Sequence, residues 1–253
     1  MEINNPTTEQ IPMLKALWKE AFEDTDEFLD LFFATAFSVK RAVCITSNQA
    51  VVSALYFFDC LLQGEKIAYI YAVATKKDFR GQGLCKKLMD AAHEMLRSMG
   101  YKGAVLVPGS QSLFTMYQNM GYKVCAYMEE MEVLSQKKDI EIKEISKAEF
   151  ARMRRKHLPL NSVIQEGENL DFLETFAKFY KGKDFIMASY TTDNTLIAAE
   201  FLGNSDSAPF VINALGFSKG VFRTPGNSNP FAMYYDLSEG ALPSPNYFGL
   251  AFD

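Results

Sequence analysis

The sequence predicts an α/β (α+β) protein, a mixed central sheet flanked by helices, followed by a second and degenerate half of the same kind. Three observations carry that expectation. The hydrophobic period switches between helical and strand spacing along the first half. A strand-like run feeds a glycine-rich turn that opens an amphipathic helix. The pattern then starts again after a polar stretch, Ser135, Gln136, Lys137, Lys138 and Asp139.

Residues 2–5 read as a strand. Thr7 or Thr8 caps a helix that runs to Phe22, and a second helix covers 25–37. The period then changes, and residues 41–46, 51–60 and 66–75 read as three consecutive strands, with turns around Asn48-Gln49 and Gln63-Gly64. Leu84, Leu88, Ala91, Ala92, Met95, Leu96 and Met99 mark one face of a helix that starts at or just after Gly81. A strand at 104–107, a short helix at 112–120 and a strand at 123–133 complete the order β-αα-βββ-α-β-α-β.

In the second half, the first strand and helix recur at 141–146 and 147–158. Residues 41–58 lie without a gap over 186–203, which matches two strands and sets the Ser47-Asn48 turn on Thr192-Asp193. Residues 210–217 then read as a third strand, followed by a loop at 220–230 and apolar segments at 231–237 and 247–252, the last read as a strand. Tyr234, Tyr235, Tyr247 and Phe248 in those segments either wall an acceptor site or fill core, and core filling is the better reading. The glycine turn does not recur, so one cofactor site per chain is expected, in a domain of residues 1–135, beside a second domain of residues 140–253.

Composition narrows the function classes. With 253 residues, 48% of them hydrophobic, the chain has enough apolar material for one large core or two modest ones. A net charge of -5 disfavours nucleic-acid partners, which need a basic footprint. No apolar run approaches the roughly 18 residues of a span and no leader is evident, so a soluble, cytoplasmic protein without a membrane partner is expected. Cys44, Cys60, Cys85 and Cys125 form no C-x-x-C pair, and His93 and His157 are the only histidines, so no metal is expected. His93 falls on the apolar helix face and reads as structural. Oligomeric state is not legible.

The run Asp78-Phe79-Arg80-Gly81-Gln82-Gly83-Leu84-Cys85 is where the chain announces a chemistry. The first turn of a helix carries unpaired N–H groups and partial positive charge, and Gly81 and Gly83 let anion oxygens approach the backbone. Lys86 and Lys87 oppose the helix dipole, which makes best sense with a polyanion in front. The run reads as a pyrophosphate cradle. Taken alone, a solvated glycine turn is the commoner explanation of such a pattern.

Its neighbours narrow it. Val73-Ala74-Thr75 before the turn, Arg80-Gly81-Gln82-Gly83-Leu84-Cys85 within it, and Met116-Tyr117-Gln118-Asn119-Met120-Gly121-Tyr122 beyond it resemble the GNAT superfamily of N-acetyltransferases. Of the signature Arg/Gln-x-x-Gly-x-Gly/Ala, Arg80 and Gly83 hold and Cys85 replaces the last position. The resemblance implies a GNAT fold, acetyl-CoA as co-substrate, and a role for Val73, Ala74 and Thr75 along the pantetheine arm. It also implies pyrophosphate binding by Gly81, Gln82, Gly83, Leu84, Cys85 and Lys86, with Arg80 setting the turn. Tyr117 is then the general acid. Ser110 stands where members often carry an Asn. An intact first copy before a copy without the turn is similar to the Eis-like acetyltransferases, without their sterol-carrier-like domain.

The expected activity is acetyl transfer to a primary amine of a small molecule or peptide. The proton acceptor is open, with Glu23, Asp24, Asp26 and Glu27 between the first two helices as a diffuse group. The resemblance adds the carboxylates at Phe252-Asp253. Two rivals remain, an aminoacyl-tRNA-dependent transferase, which the acidic balance disfavours, and a catalytically inactive CoA-responsive binding protein.

Overall fold

A 13-residue strand, β3 (Ala50–Leu62), is buried along most of its length on both faces, which is possible only if helices cover the sheet on both sides. Tyr56 and Phe58 join Leu14, Trp18 and Phe32 in one core cluster, while Leu55 and Phe57 join Leu88, Met89 and Ala92 in another. The parity of the strand thus sorts the two cores. The computed structural model describes residues 1–252 of the chain.

The first half runs β1 (Glu2–Asn4), α1 (Ile11–Phe22), α2 (Asp26–Thr35), β2 (Ala42–Ser47), β3, β4 (Glu65–Thr75), α3 (Leu84–Ser98), β5 (Gly103–Leu106), α4 (Gln111–Gln118) and β6 (Lys123–Leu134). Local signals explain its boundaries. Thr7 and Gln10 form a capping box ahead of α1, and the Thr25 hydroxyl accepts from the Phe28 amide at 3.2 Å to start α2.

The second half runs β7 (Ile142–Ile145), α5 (Lys147–His157), β8 (Ile164–Gln165), α6 (Glu168–Leu173), β9 (Lys178–Gly182), β10 (Phe185–Thr192), β11 (Thr195–Gly203), α7 (Ala208–Ala214), β12 (Lys219–Pro225) and β13 (Asn229–Asp236). Among the described residues, no helix is long and apolar enough to cross a membrane.

One sheet joins both halves in the order β1-β2-β3-β4-β5-β13-β6-β12-β11-β10-β9-β7, with β8 added to the far end of β3. The order is a mirror about β13 and β6. On each side, three antiparallel steps lead inward to one parallel step, β4 to β5 or β11 to β12. The strand after each parallel pair crosses over: β13 lies beside β5, and β6 lies beside β12.

Four sequence expectations change. Residues 210–217 are not a strand; α7 covers Ala208–Ala214, with Pro209 in its first turn and Ala208, Val211 and Ile212 buried at helical spacing. The expected loop at 220–230 is largely strand, since β12 ends at Pro225 and β13 begins at Asn229. Residues 247–252 form no strand beyond a bridge from Tyr247 to Ser162. The overlay of 41–58 on 186–203 matched two-residue turns correctly, Asn48-Gln49 against Asp193-Asn194, all at positive φ. In the sheet, however, β10 and β11 take the place of β3 and β4, not of β2 and β3. Two hairpins with the same turn length and apolar content cannot be told apart by pattern.

A buried ion pair fastens the last segment. Arg154 Nε meets Glu200 Oε2 at 2.6 Å, with both side chains almost wholly excluded from solvent. Tyr247 donates to Glu200 at 3.1 Å, and Gln165 bonds the Leu250 carbonyl at 2.5 Å and the Leu250 amide at 3.0 Å. Residues 247–252 are thereby laid across the sheet toward Tyr69 and Tyr71 of β4, against which Phe252 packs.

Candidate active site

Beside β4 the sheet opens. β4 pairs in parallel with β5 only at Ile67, Ala68 and Tyr69, opposite Gly103, Ala104 and Val105. The ladder with β5 ends at Tyr69, while the other edge stays paired with β3 as far as Thr75. The pairing with β3 carries a bulge. Tyr71 faces Tyr56 and Ala74 faces Ala54, so two residues, Ala72 and Val73, stand against Leu55, and Ala72 has φ 48°. A left-handed alanine inside a strand stores strain, and such bulges re-aim the backbone next to functional sites.

The β5-side edge of β4 ends on the glycine turn. Arg80 Nε donates to the Thr75 carbonyl at 3.0 Å, Gln82 Nε2 to the Asp78 carbonyl at 3.3 Å, and Glu20 of α1 accepts from the Lys77 amide at 2.7 Å. Gly81 and Gly83 both sit in the left-handed region, at φ 75° and 73°. Helix α3 therefore starts at Leu84, later than the sequence suggests, and its cap is Gly83, which has no side chain to satisfy the first-turn amides. Lys86 does not face forward but pairs with Asp90 at 2.7 Å, one turn down the helix. Lys87 is exposed.

At the other end of that edge lies a cavity of about 1090 Å³. Tyr71, Ala72 and Val73 of β4 form one wall, the segment from Leu106 to Gly109 after β5 another, and Tyr117 of α4 looks in between them. Tyr117 is buried at 6% exposure, and that burial, with Cys85 next to it, pushes its phenol well above the ordinary tyrosine range. Burial also raises the Cys85 thiol.

Of the expected site residues, Val73 and Tyr117 line this cavity. Ala74 is buried, its carbonyl accepting from Ser53 at 2.8 Å, and Thr75 meets the same Ser53 hydroxyl at 2.8 Å. Arg80, Gly81, Gln82, Gly83, Leu84, Cys85 and Lys86 stand outside the wall, at the turn end of that edge. Of the four acidic candidates, Glu23 and Asp24 line the cavity and Asp26 and Glu27 do not. Asp24 accepts from the Trp18 indole N–H at 2.8 Å, while Asp26 pairs with Lys19 at 2.7 Å. Phe252 lines the cavity too, and its carbonyl accepts from the Tyr71 hydroxyl at 2.8 Å. Asp253 lies outside the described residues.

The second half reaches the cavity through side chains the sequence did not single out. Phe176, Tyr190 and Phe231 line it, as does Trp18 from the first half. Tyr234, Tyr235, Tyr247 and Phe248 fill core instead, with Tyr235 stacked on His93 at 4.1 Å and Phe248 against Tyr69 at 4.7 Å. Apart from Trp18, the single tryptophan on the apolar face of α1, no local signal marked these lining residues. All four cysteines are free thiols. Among the described residues, no group of three His, Cys, Asp or Glu side chains gathers into a metal site.

Residues 2–125 match the family model described as "Acetyltransferase (GNAT) domain". A comparison with curated proteins finds no match. Among solved structures, a GCN5-related N-acetyltransferase from Anabaena variabilis ATCC 29413 aligns over 93% of this chain and 72% of its own, with TM-score 0.73 and 15% identity. One from Kribbella flavida aligns over 94% and 71%, with TM-score 0.72 and 13% identity. Eis1 from Mycobacterium abscessus aligns over 95% and 75%, with TM-score 0.70 and 11% identity. At these identities the likeness is one of fold, and it spans both halves of the chain.

Proposed function

We propose that residues 2–125, which match the acetyltransferase (GNAT) domain model, are the catalytic domain of an acyltransferase, and that the protein moves an acetyl group from acetyl-CoA to a primary amine of a small molecule or peptide. One arrangement carries the reading. Beyond the end of the β4–β5 ladder, the edge of β4 runs from an uncapped helix N-terminus to a cavity that contains a buried tyrosine.

The residues fit acetyl-CoA. The Cβ positions of Gly81 and Gly83 face open space, and the first-turn amides of α3 have no side-chain cap, which suits a pyrophosphate. Arg80 to Lys86 would hold that group, with Val73, Ala74 and Thr75 along the pantetheine arm.

Acetyl-CoA supplies an activated thioester. In the transfer, the amine nitrogen bonds to the thioester carbonyl carbon, the C–S bond breaks, the amine gives up a proton and the thiolate takes one. Tyr117 is the proton donor. A phenol held neutral by burial keeps its proton at every physiological pH, and the same dry surroundings make the departing thiolate more basic. Glu23 and Asp24 are the carboxylates among the described wall residues and take up the amine proton.

The two halves, 1–135 and 140–253, are on this reading two copies of one unit, the second without the glycine turn. The mirrored strand order supports it. Unpaired thiols suit a reducing, cytoplasmic setting.

Tyr117→Phe tests the mechanism. Turnover measured by thiol release is expected to fall about 100-fold, with acetyl-CoA affinity measured by calorimetry unchanged. Unaltered turnover would remove Tyr117 from the mechanism. Tight acetyl-CoA binding without thiol release across a broad amine panel would favour a CoA-responsive binding protein instead.

A further inference from the structure

The cavity wall has a marked chemical bias. Rings from both halves line it, among them Trp18, Phe28, Tyr71, Phe176, Phe231 and Phe252. Its charged side chains are Glu23 and Asp24, and among the described lining residues there is no Lys, Arg or His. An anionic acceptor would enter against two carboxylates with no cation to receive it. A polyhydroxylated amine would find hydroxyl partners on Thr25, Thr191, Thr192 and the tyrosines, but would bury its remaining polar groups against ring faces, which is costly group by group. A single ammonium on an apolar body meets both halves of the bias, since carboxylates and ring faces each attract a cation and the rings attract the body.

The rings are also connected. Phe28 stands 6.0 Å from Phe176, and Phe176 stands 6.0 Å from Tyr190, so a line of aromatic side chains leads from α2 into the second half. Trp18, joined to Phe28 through Phe32 and Phe172, ties the Asp24 carboxylate through its indole N–H at 2.8 Å. The acid and the aromatic wall are thus one unit.

We propose that the acceptor is an arylalkylamine with one positive charge, its ammonium received by Asp24 and Glu23 and its ring by the aromatic side chains shared between the halves. This rests on the transferase reading for the word acceptor. The binding itself is testable without turnover.

Trp18 is the only tryptophan in the chain and stands in the cavity wall, so its fluorescence reports occupancy directly. Phenethylamine, which does not emit with tryptophan, would be titrated beside phenylethanol, phenylpropanoate, an aminoglycoside and a tripeptide with a free N-terminus. A saturable Trp18 response to phenethylamine, about tenfold tighter than to each of the others, is expected. Asp24→Asn keeps an oxygen for the Trp18 indole and should bring phenethylamine down to the level of phenylethanol. Phe176→Leu should weaken both equally. Equal binding of amine and alcohol, or preference for the aminoglycoside or the tripeptide, would overturn the proposal. Thiol release on the same samples separates the two ideas. A selective Trp18 response without thiol release upholds the binding site and defeats the transferase, whereas thiol release fastest with the aminoglycoside or tripeptide does the reverse.

Discussion

His93 carries a pH dependence that belongs to the fold and not to the reaction. It is buried on α3, with Nε2 2.8 Å from the Tyr122 hydroxyl and its ring stacked on Tyr235 of β13. Burial above all, then the Arg97 charge, opposed by Asp90 and helped least by Lys86, draws its pKa down to about 4. The unfolded histidine titrates near 6.5. Between those values the unfolded chain binds a proton that the folded chain refuses. The stabilisation is therefore full above about pH 6.5 and is lost as pH falls toward 4, on the order of 3 kcal/mol in all. Urea midpoints followed from neutral to about pH 4.5 should fall more steeply for the wild type than for His93→Gln. Parallel curves would mean that His93 is not the group responsible.

At the scale of elements, the start of α3 separates backbone strain from ligand contact. Gly83 opens the helix at φ 73° and Gly100 follows it at φ 83°, and a Cβ at either would meet nothing within 4 Å. Alanine at each should cost about 1 kcal/mol of stability for the same left-handed reason. Only Gly83→Ala puts a methyl group in front of the first-turn amides, so only that variant should weaken acetyl-CoA, by about tenfold. Equal dissociation constants for the two variants would take the glycine turn out of the cofactor site.

The elements that were legible in the sequence are those with local signals, such as Thr7 ahead of α1 and the long apolar face of α3. Val73 and Tyr117 were legible because a motif carries them. Residues 208–214 misled because Phe210, Val211 and Ile212 give an apolar run too short to reveal its period. Trp18, Phe176, Tyr190 and Phe231 meet only through contacts between the halves, and no spacing along the chain encodes that meeting.

The same long-range pairing sets the behaviour of the whole molecule. Met233, Tyr234, Tyr235 and Asp236 of β13 pair with Leu106, Val105, Ala104 and Gly103 of β5, so the edge of the first-half sheet is closed by the second half. β6 in turn lies between β13 and β12. The Tyr234 ring lies where a Cβ on Gly103 would be, which makes that glycine the seat of the crossing strand. A fragment of residues 1–135 would expose the apolar edge of β5 and leave β6 without either neighbour, the arrangement that promotes aggregation. Expressed alone, it should be insoluble or bind no acetyl-CoA. Expressed with residues 140–253, it should form a one-to-one complex that recovers thiol release, because the strand pairs need no covalent link. Gly103→Ala should then harm the split complex more than the intact chain, since the crossing strand has lost its tether and must dock from solution. A soluble, monomeric and active 1–135 fragment would refute this, and with it the idea that the second half is needed to complete the first.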